Sequence, residues 1–140
     1  MRKGLPYERT EVRILEQHRL HEAREALKDA DCLQAAGRSH QGIANRLYYA
    51  MFYAGLALLQ RVGKTPSKHT AVISLVDTEY VLKGRLSRDL SKAFHRAFEV
   101  RQTSDYHIAP VVESDAIMDL RRDAEAFVEA AAQLLTTAPE

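Results

Sequence analysis

Apolar residues recur at three- and four-residue steps along almost the whole chain, and no stretch alternates long enough to need a strand. Residues 7–36 read as one helix carrying Val12, Leu15, Arg19, Ala23, Ala26, Ala30 and Leu33 on one stripe, with Gly37 as the stop. That stripe is thin, which predicts a partly exposed helix rich in charge pairs rather than a core element. Ser39 is the expected cap of a second helix, running through Ile43, Leu47, Ala50, Phe52, Leu56 and Leu59 to a break at Gly63. Its aromatics, mixed with Ala50, Ala54, Gly55 and Ala57, let neighbours approach on several sides, so it is expected to be buried.

Thr65 as cap and Pro66 at the first helical position would open a third helix over 67–82, closed by Lys83 and Gly84. A fourth starts at Ser87 and carries Leu90, Phe94, Ala97 and Phe98; Pro110 disfavours helix at Ala109, so it ends between 104 and 108. Ser114 is the expected cap of a fifth, with Ile117, Leu120, Ala124, Phe127, Ala131 and Leu134 on one face. The expectation is an all-α chain: an up-and-down bundle of four to five helices, forming a single domain over residues 1–140.

Composition narrows the class. A chain that is 46% hydrophobic and 28% charged has enough apolar surface for a core and is not a disordered polymer. Cys32 is the single cysteine, so no intrachain disulfide and no cysteine-based zinc site can form, and a reducing cytoplasm is expected. The first residues lead into charge rather than an apolar run, and the uncharged stretch 48–59 is too short to cross a bilayer, so neither a signal peptide nor a membrane span is expected.

The formal net charge of +1 hides an uneven distribution. Residues 32–101 hold eleven Lys or Arg against four acids, whereas the rest of the chain holds nine against fifteen. Arg38, Arg46, Arg61, Lys64 and Lys68 all lie in the acid-free stretch between Asp31 and Asp77. If those helices share a face, Arg46, Lys64 and Lys68 are candidate contacts for nucleic-acid phosphates; alternatively the acidic ends pack back and neutralise the surplus. With so little net charge, affinity for nucleic acid would be moderate and salt-sensitive.

Chemistry concentrates near the end of the fourth helix. Continuing the stripe Leu90, Phe94, Ala97 at 100° per residue brings Arg101 to the inward face, with Asp105 one turn later. A guanidinium aimed inward must pair with a carboxylate, sit at a wet interface or receive an anion. A plain Arg101–Asp105 pair at i,i+4 is one reading. The other draws in His107, where Pro110 requires the helix to be unwinding. An imidazole that takes a 2′-hydroxyl proton and a guanidinium that neutralises charge growing on phosphorus are enough for metal-free cleavage of RNA.

The runs Asn45-Arg-Leu-Tyr-Tyr-Ala-Met-Phe-Tyr-Ala, Lys68-His69-Thr and Arg101-Gln-Thr-Ser-Asp105-Tyr106-His107 resemble the HEPN family of prokaryotic helical domains, in particular its small stand-alone branch. The resemblance extends over residues 16–135 with the order and spacing kept. It implies a four- or five-helix bundle that forms homodimers, often encoded beside a minimal nucleotidyltransferase that acts as its antitoxin partner. Ribonuclease members carry an Arg, four to six residues, then a His, and Arg101 and His107 meet that pattern with five residues between. On the resemblance, Arg101 is a phosphate stabiliser, His107 a general base and Asp105 the orienter of Arg101. Tyr106 is a candidate for contact with the site or for modification by the partner transferase. Asn45 departs from a frequent Ser while leaving a polar group near the motif.

His69 falls in the first turn of the third helix, where the positive helix end attracts anions, so it assists the site or binds nucleotide; equally, it caps or packs beneath the loop. His18, His21, His40 and His95 have no ligand spacing, and no metal or other cofactor is expected. Two functional expectations stand: a metal-independent endoribonuclease toxin with an Arg/His pair at a homodimer groove, or a non-catalytic nucleotide- or partner-binding module that works with a nucleotidyltransferase.

Overall fold

Gly37, Gly63 and Gly84 adopt φ values of 68°, 74° and 74°. This left-handed region is costly for residues with a Cβ, and in each case the chain leaves a helix there. The first shows how the end is sealed: Gly37 N–H donates to the Gln34 carbonyl at 3.1 Å and Arg38 N–H to that of Leu33 at 2.9 Å. In the computed structural model, residues 6–106 and 114–137 are described, with side chains over 9–103 and 114–137. They form α1 (Pro6–Ala35), α2 (His40–Arg61), α3 (His69–Val76), a π-helical turn (Asp77–Val81), α4 (Arg88–Tyr106) and α5 (Ser114–Leu134). Among the described residues there is no strand.

The all-α architecture agrees with the helical periodicity. Ser39 caps α2 as expected, its hydroxyl accepting from Gly42 N–H at 3.2 Å. α2 is the central helix and packs on α1, α3, α4 and α5, with Leu47, Tyr48, Ala50, Met51, Ala54, Ala57, Leu58 and Leu59 all buried. Gly55 permits the closest approach: a Cβ there would stand 3.3 Å from Phe94 Cε2 and 3.4 Å from Val72 Cγ1. Because Gly55 meets Phe94 while Tyr48 meets Phe98, α4 runs antiparallel to α2. Each further turn of α4 therefore moves toward the start of α2.

Several local expectations need correction. Residues 65 and 66 are not helical; α3 begins at His69 with Lys68 in the cap position and no side-chain cap. The expected continuous helix over 67–82 changes pitch at Asp77. There, anchors from other helices hold the chain: Ser91 and His95 of α4 meet the Asp77 carboxylate at 2.6 and 2.7 Å, and Tyr80 donates to the Leu58 carbonyl at 2.6 Å. A π-helical turn accommodates such anchors by inserting one residue into the helical register.

The third correction concerns α1, which contributes fully to the core through Leu20, Ala23, Ala26, Leu27 and Ala30, while Leu15 stays 44% exposed. Its alanines carry little apolar area by themselves, but they let α1 lie close against α2, and proximity is what buries them. In α5 the inward face holds Ile117, Leu120, Ala124, Phe127, Val128 and Ala131, and Leu135 rather than Leu134 completes it. Ser114 is the first residue of that helix.

Candidate functional site

Tyr48 and Tyr49 follow one another on α2, with rings edge to face at 5.3 Å between centroids. Phe52, one turn later, and Phe98 from α4 lie 5.9 Å from the Tyr48 ring. Tyr48 has no exposed surface. This gives the site an aromatic floor whose rings restrain one another.

Two helix ends deliver polar groups onto that floor. His69 opens α3 and stacks on Phe52, with centroids 4.3 Å apart and planes at 23°. Its Nδ1 lies 2.8 Å from the Tyr48 hydroxyl. From the last turns of α4, the half-buried Arg101 places its guanidinium carbon 5.5 Å from the centroid of Tyr48 and 5.5 Å from that of Tyr49. Arg46 adds a second guanidinium 5.0 Å from the Tyr49 centroid, steadied by the Asn45 side-chain oxygen at 3.1 Å. A cation over a ring face gains about 0.5–2 kcal/mol depending on desolvation, so these rings hold two arginines without consuming their charge.

The floor also sets protonation. Burial pushes the Tyr48 phenol well above its usual range, and the nearby Arg101 charge offsets only part of this. His69 moves the other way: burial first, then the Arg101 charge, lower its pKa from 6.5. His69 is therefore mostly neutral at pH 7, and positive charge in the cluster comes from Arg101 and Arg46.

The structure thus gathers Asn45, Arg46, His69 and Arg101 around one set of rings. Asp105 and Tyr106 belong to the last helical turn of α4 by their backbone, their side chains lying outside the described ones, and His107 lies outside the described residues. Lys64 and Lys68 are exposed on the α2–α3 connection, and among the described residues no acid pairs with Arg46, Lys64 or Lys68. Arg61 departs from the expected basic face, because Glu16 takes its guanidinium at 2.6 Å. Arg96 pairs with Asp123 at 3.3 Å, while Arg121 and Asp31 at 2.8 Å join the two acidic ends to each other. The acidic ends thus neutralise only part of the basic middle. No group of three His, Cys, Asp or Glu residues suited to a metal occurs among the described residues. No described helix is long and apolar enough to cross a membrane.

Sequence reasoning did not place Tyr48, Tyr49, Phe52 and Phe98 in the site. A signal was present: tyrosine, tyrosine and phenylalanine at positions 48, 49 and 52 put three rings on neighbouring faces of one helix, as the i, i+1, i+4 spacing requires.

The described residues form a bundle of five α-helices with an arginine near the end of the fourth, seated on a tyrosine pair from the second, and sequence comparison gives this architecture a family. The HEPN domain matches residues 16–138, and the chain belongs to that family. It is 39% identical over 113 residues to a UPF0332 protein of Thermotoga maritima, covering 81% of this chain and 85% of that one. A UPF0332 protein of Archaeoglobus fulgidus is 38% identical over 84 residues, 60% of this chain and 66% of that one. A Methanocaldococcus jannaschii protein named "Putative toxin MJ0142" is 30% identical over 79 residues, 56% of this chain and 48% of that one.

Proposed function

We propose that this chain is a toxin-like HEPN protein that cuts single-stranded RNA without a metal, using Arg101 and His107 at a groove between the subunits of a homodimer. The observation that carries the reading is the seat of Arg101. A half-buried guanidinium rests on Tyr48 and Tyr49, beside a second arginine and a neutral imidazole. Rings orient a cation through its face, and the planar N–H fork of a guanidinium held this way matches the oxygens of a phosphate. The toxin-like role draws its support from membership of the family and from the names of the Methanocaldococcus relatives.

In the reaction, the 2′-hydroxyl gives its proton to His107 and its oxygen attacks the adjacent phosphorus. The bond from phosphorus to the 5′-oxygen breaks, and that oxygen takes a proton from water, whose proton is made good by the protonated His107. Arg101 neutralises the charge that builds on the non-bridging oxygens. On this reading Asp105 orients Arg101, and Tyr106 is the residue that a nucleotidyltransferase antitoxin would modify.

The test is purified protein with a short single-stranded RNA in EDTA. Fragments ending in 2′,3′-cyclic phosphate, lost in Arg101→Ala and in His107→Ala, are the expected result. Intact RNA with the folded wild-type protein overturns the reading and leaves a non-catalytic module that binds a nucleotide or a transferase subunit.

A further inference from the structure

His69 Nδ1 lies 2.8 Å from the Tyr48 hydroxyl, and its ring is stacked on Phe52 at 4.3 Å, so it is held by one edge and one face. A phenol is the natural donor to a neutral imidazole nitrogen, and this phenol keeps its proton because it is buried. Nδ1 is then the acceptor. A neutral ring carries a single N–H, which must sit on Nε2. Among the described residues Nε2 is engaged through the ring stacking and by no hydrogen bond, and His69 as a whole is only partly buried. The two tyrosine rings beneath Arg101 are those His69 touches, at 5.8 and 5.9 Å between centroids.

We infer that Tyr48 locks His69 in its Nε2–H form, and that this N–H is a second, uncharged donor to the phosphate oxygens that Arg101 receives on an RNA backbone. The inference rests on the reading that this site acts on RNA. It gives His69 a substrate-binding role and excludes it as the base, since Nδ1 is occupied and Nε2 already holds a proton. Two unlike donors serve a phosphodiester well: the guanidinium supplies charge, and the imidazole adds direction without a second buried cation.

The experiment uses the whole protein, labelled with ¹⁵N at histidine, titrated with a 2′-O-methyl RNA oligonucleotide, which has no hydroxyl to attack and so binds without being cut. The free protein should show His69 protonated at Nε2 alone, and the oligonucleotide should shift that Nε2–H resonance. His69→Ala should weaken binding about tenfold, in keeping with one hydrogen bond to an anion. His69→Gln, whose amide N–H reaches a similar point, should retain most of it. A proton on Nδ1, a His69 resonance unmoved by a bound oligonucleotide, or a folded His69→Ala protein binding as tightly as wild type overturns the inference while leaving the RNA reading intact. Absence of binding by the wild type overturns both. Should the alanine variant not fold, the resonances of the wild type decide.

Discussion

Glu16 on α1 has no exposed surface, and its carboxylate receives the Arg61 guanidinium of α2 through two hydrogen bonds, at 2.6 Å from Nε and 2.8 Å from a terminal nitrogen. The pair raises the Arg61 pKa, chiefly through its hydrogen bonds with Glu16. Arg61 continues to the Thr137 carbonyl at 2.8 Å, and Arg13 reaches that same carbonyl at 3.2 Å and that of Leu135 as well. One buried acid thereby fastens α1, α2 and the end of α5.

Removing one member of such a pair leaves the other charge without compensation. Glu16→Ala should lower unfolding free energy by about 3–5 kcal/mol, measured by urea denaturation followed by circular dichroism. Replacing both residues with apolar ones of similar volume should cost less than the single change. A loss below about 1 kcal/mol in Glu16→Ala would show that Arg61 simply turns into water.

Gly55 should tolerate alanine but nothing larger. The helix gains about 1 kcal/mol from Gly→Ala, which offsets the small displacement demanded by Phe94 at 3.3 Å. Gly55→Val should instead destabilise by about 1–3 kcal/mol through overpacking. Because α4 then stands off from α2, the valine variant should also reduce activity more than its loss of stability explains.

For His69 the sign of the pH dependence follows from its lowered pKa. Below pH 6.5 the unfolded chain binds a proton at this position and the folded chain does not, until pH falls to the depressed folded value. Within that window, acidification favours unfolding, and the contribution returns as pH rises to 6.5. Urea midpoints at several pH values should therefore show a steeper acid loss in wild type than in His69→Gln. An NMR titration should place the His69 midpoint below 6.5, and Arg101→Ala should move it up.

Kinetics should separate the two arginines. Arg101→Ala should cost about 10²–10³ in kcat, the size expected for removing a group that stabilises transition-state charge. Arg46→Ala should leave kcat nearly unchanged and weaken RNA binding, reducing the slope of log affinity against log salt by about 0.7, as for one contact to a single strand. Equal effects of the two substitutions on kcat would mean that Arg46 also faces the reacting phosphate.

The helices, their glycine stops and the Ser39 cap are local matters, set by residues within one or two turns of each other, and so were readable along the chain. The inward position of Arg101 followed from the same helical period. Which neighbours it would meet did not: Tyr48 and Tyr49 are more than fifty residues away, and only the approach of α4 to α2 at Gly55 brings them under the guanidinium. The pitch change at Asp77 has the same origin, since Ser91, His95 and Leu58 anchor that turn from other helices. Arg61 was one of several cations in an acid-free run, and tertiary packing alone separated it from Arg46 by burying Glu16 against it. Helical periodicity reports which face of a segment avoids water; the ionisation of Tyr48 and His69 depends on how deeply packing removes them from it and on which charges end nearby.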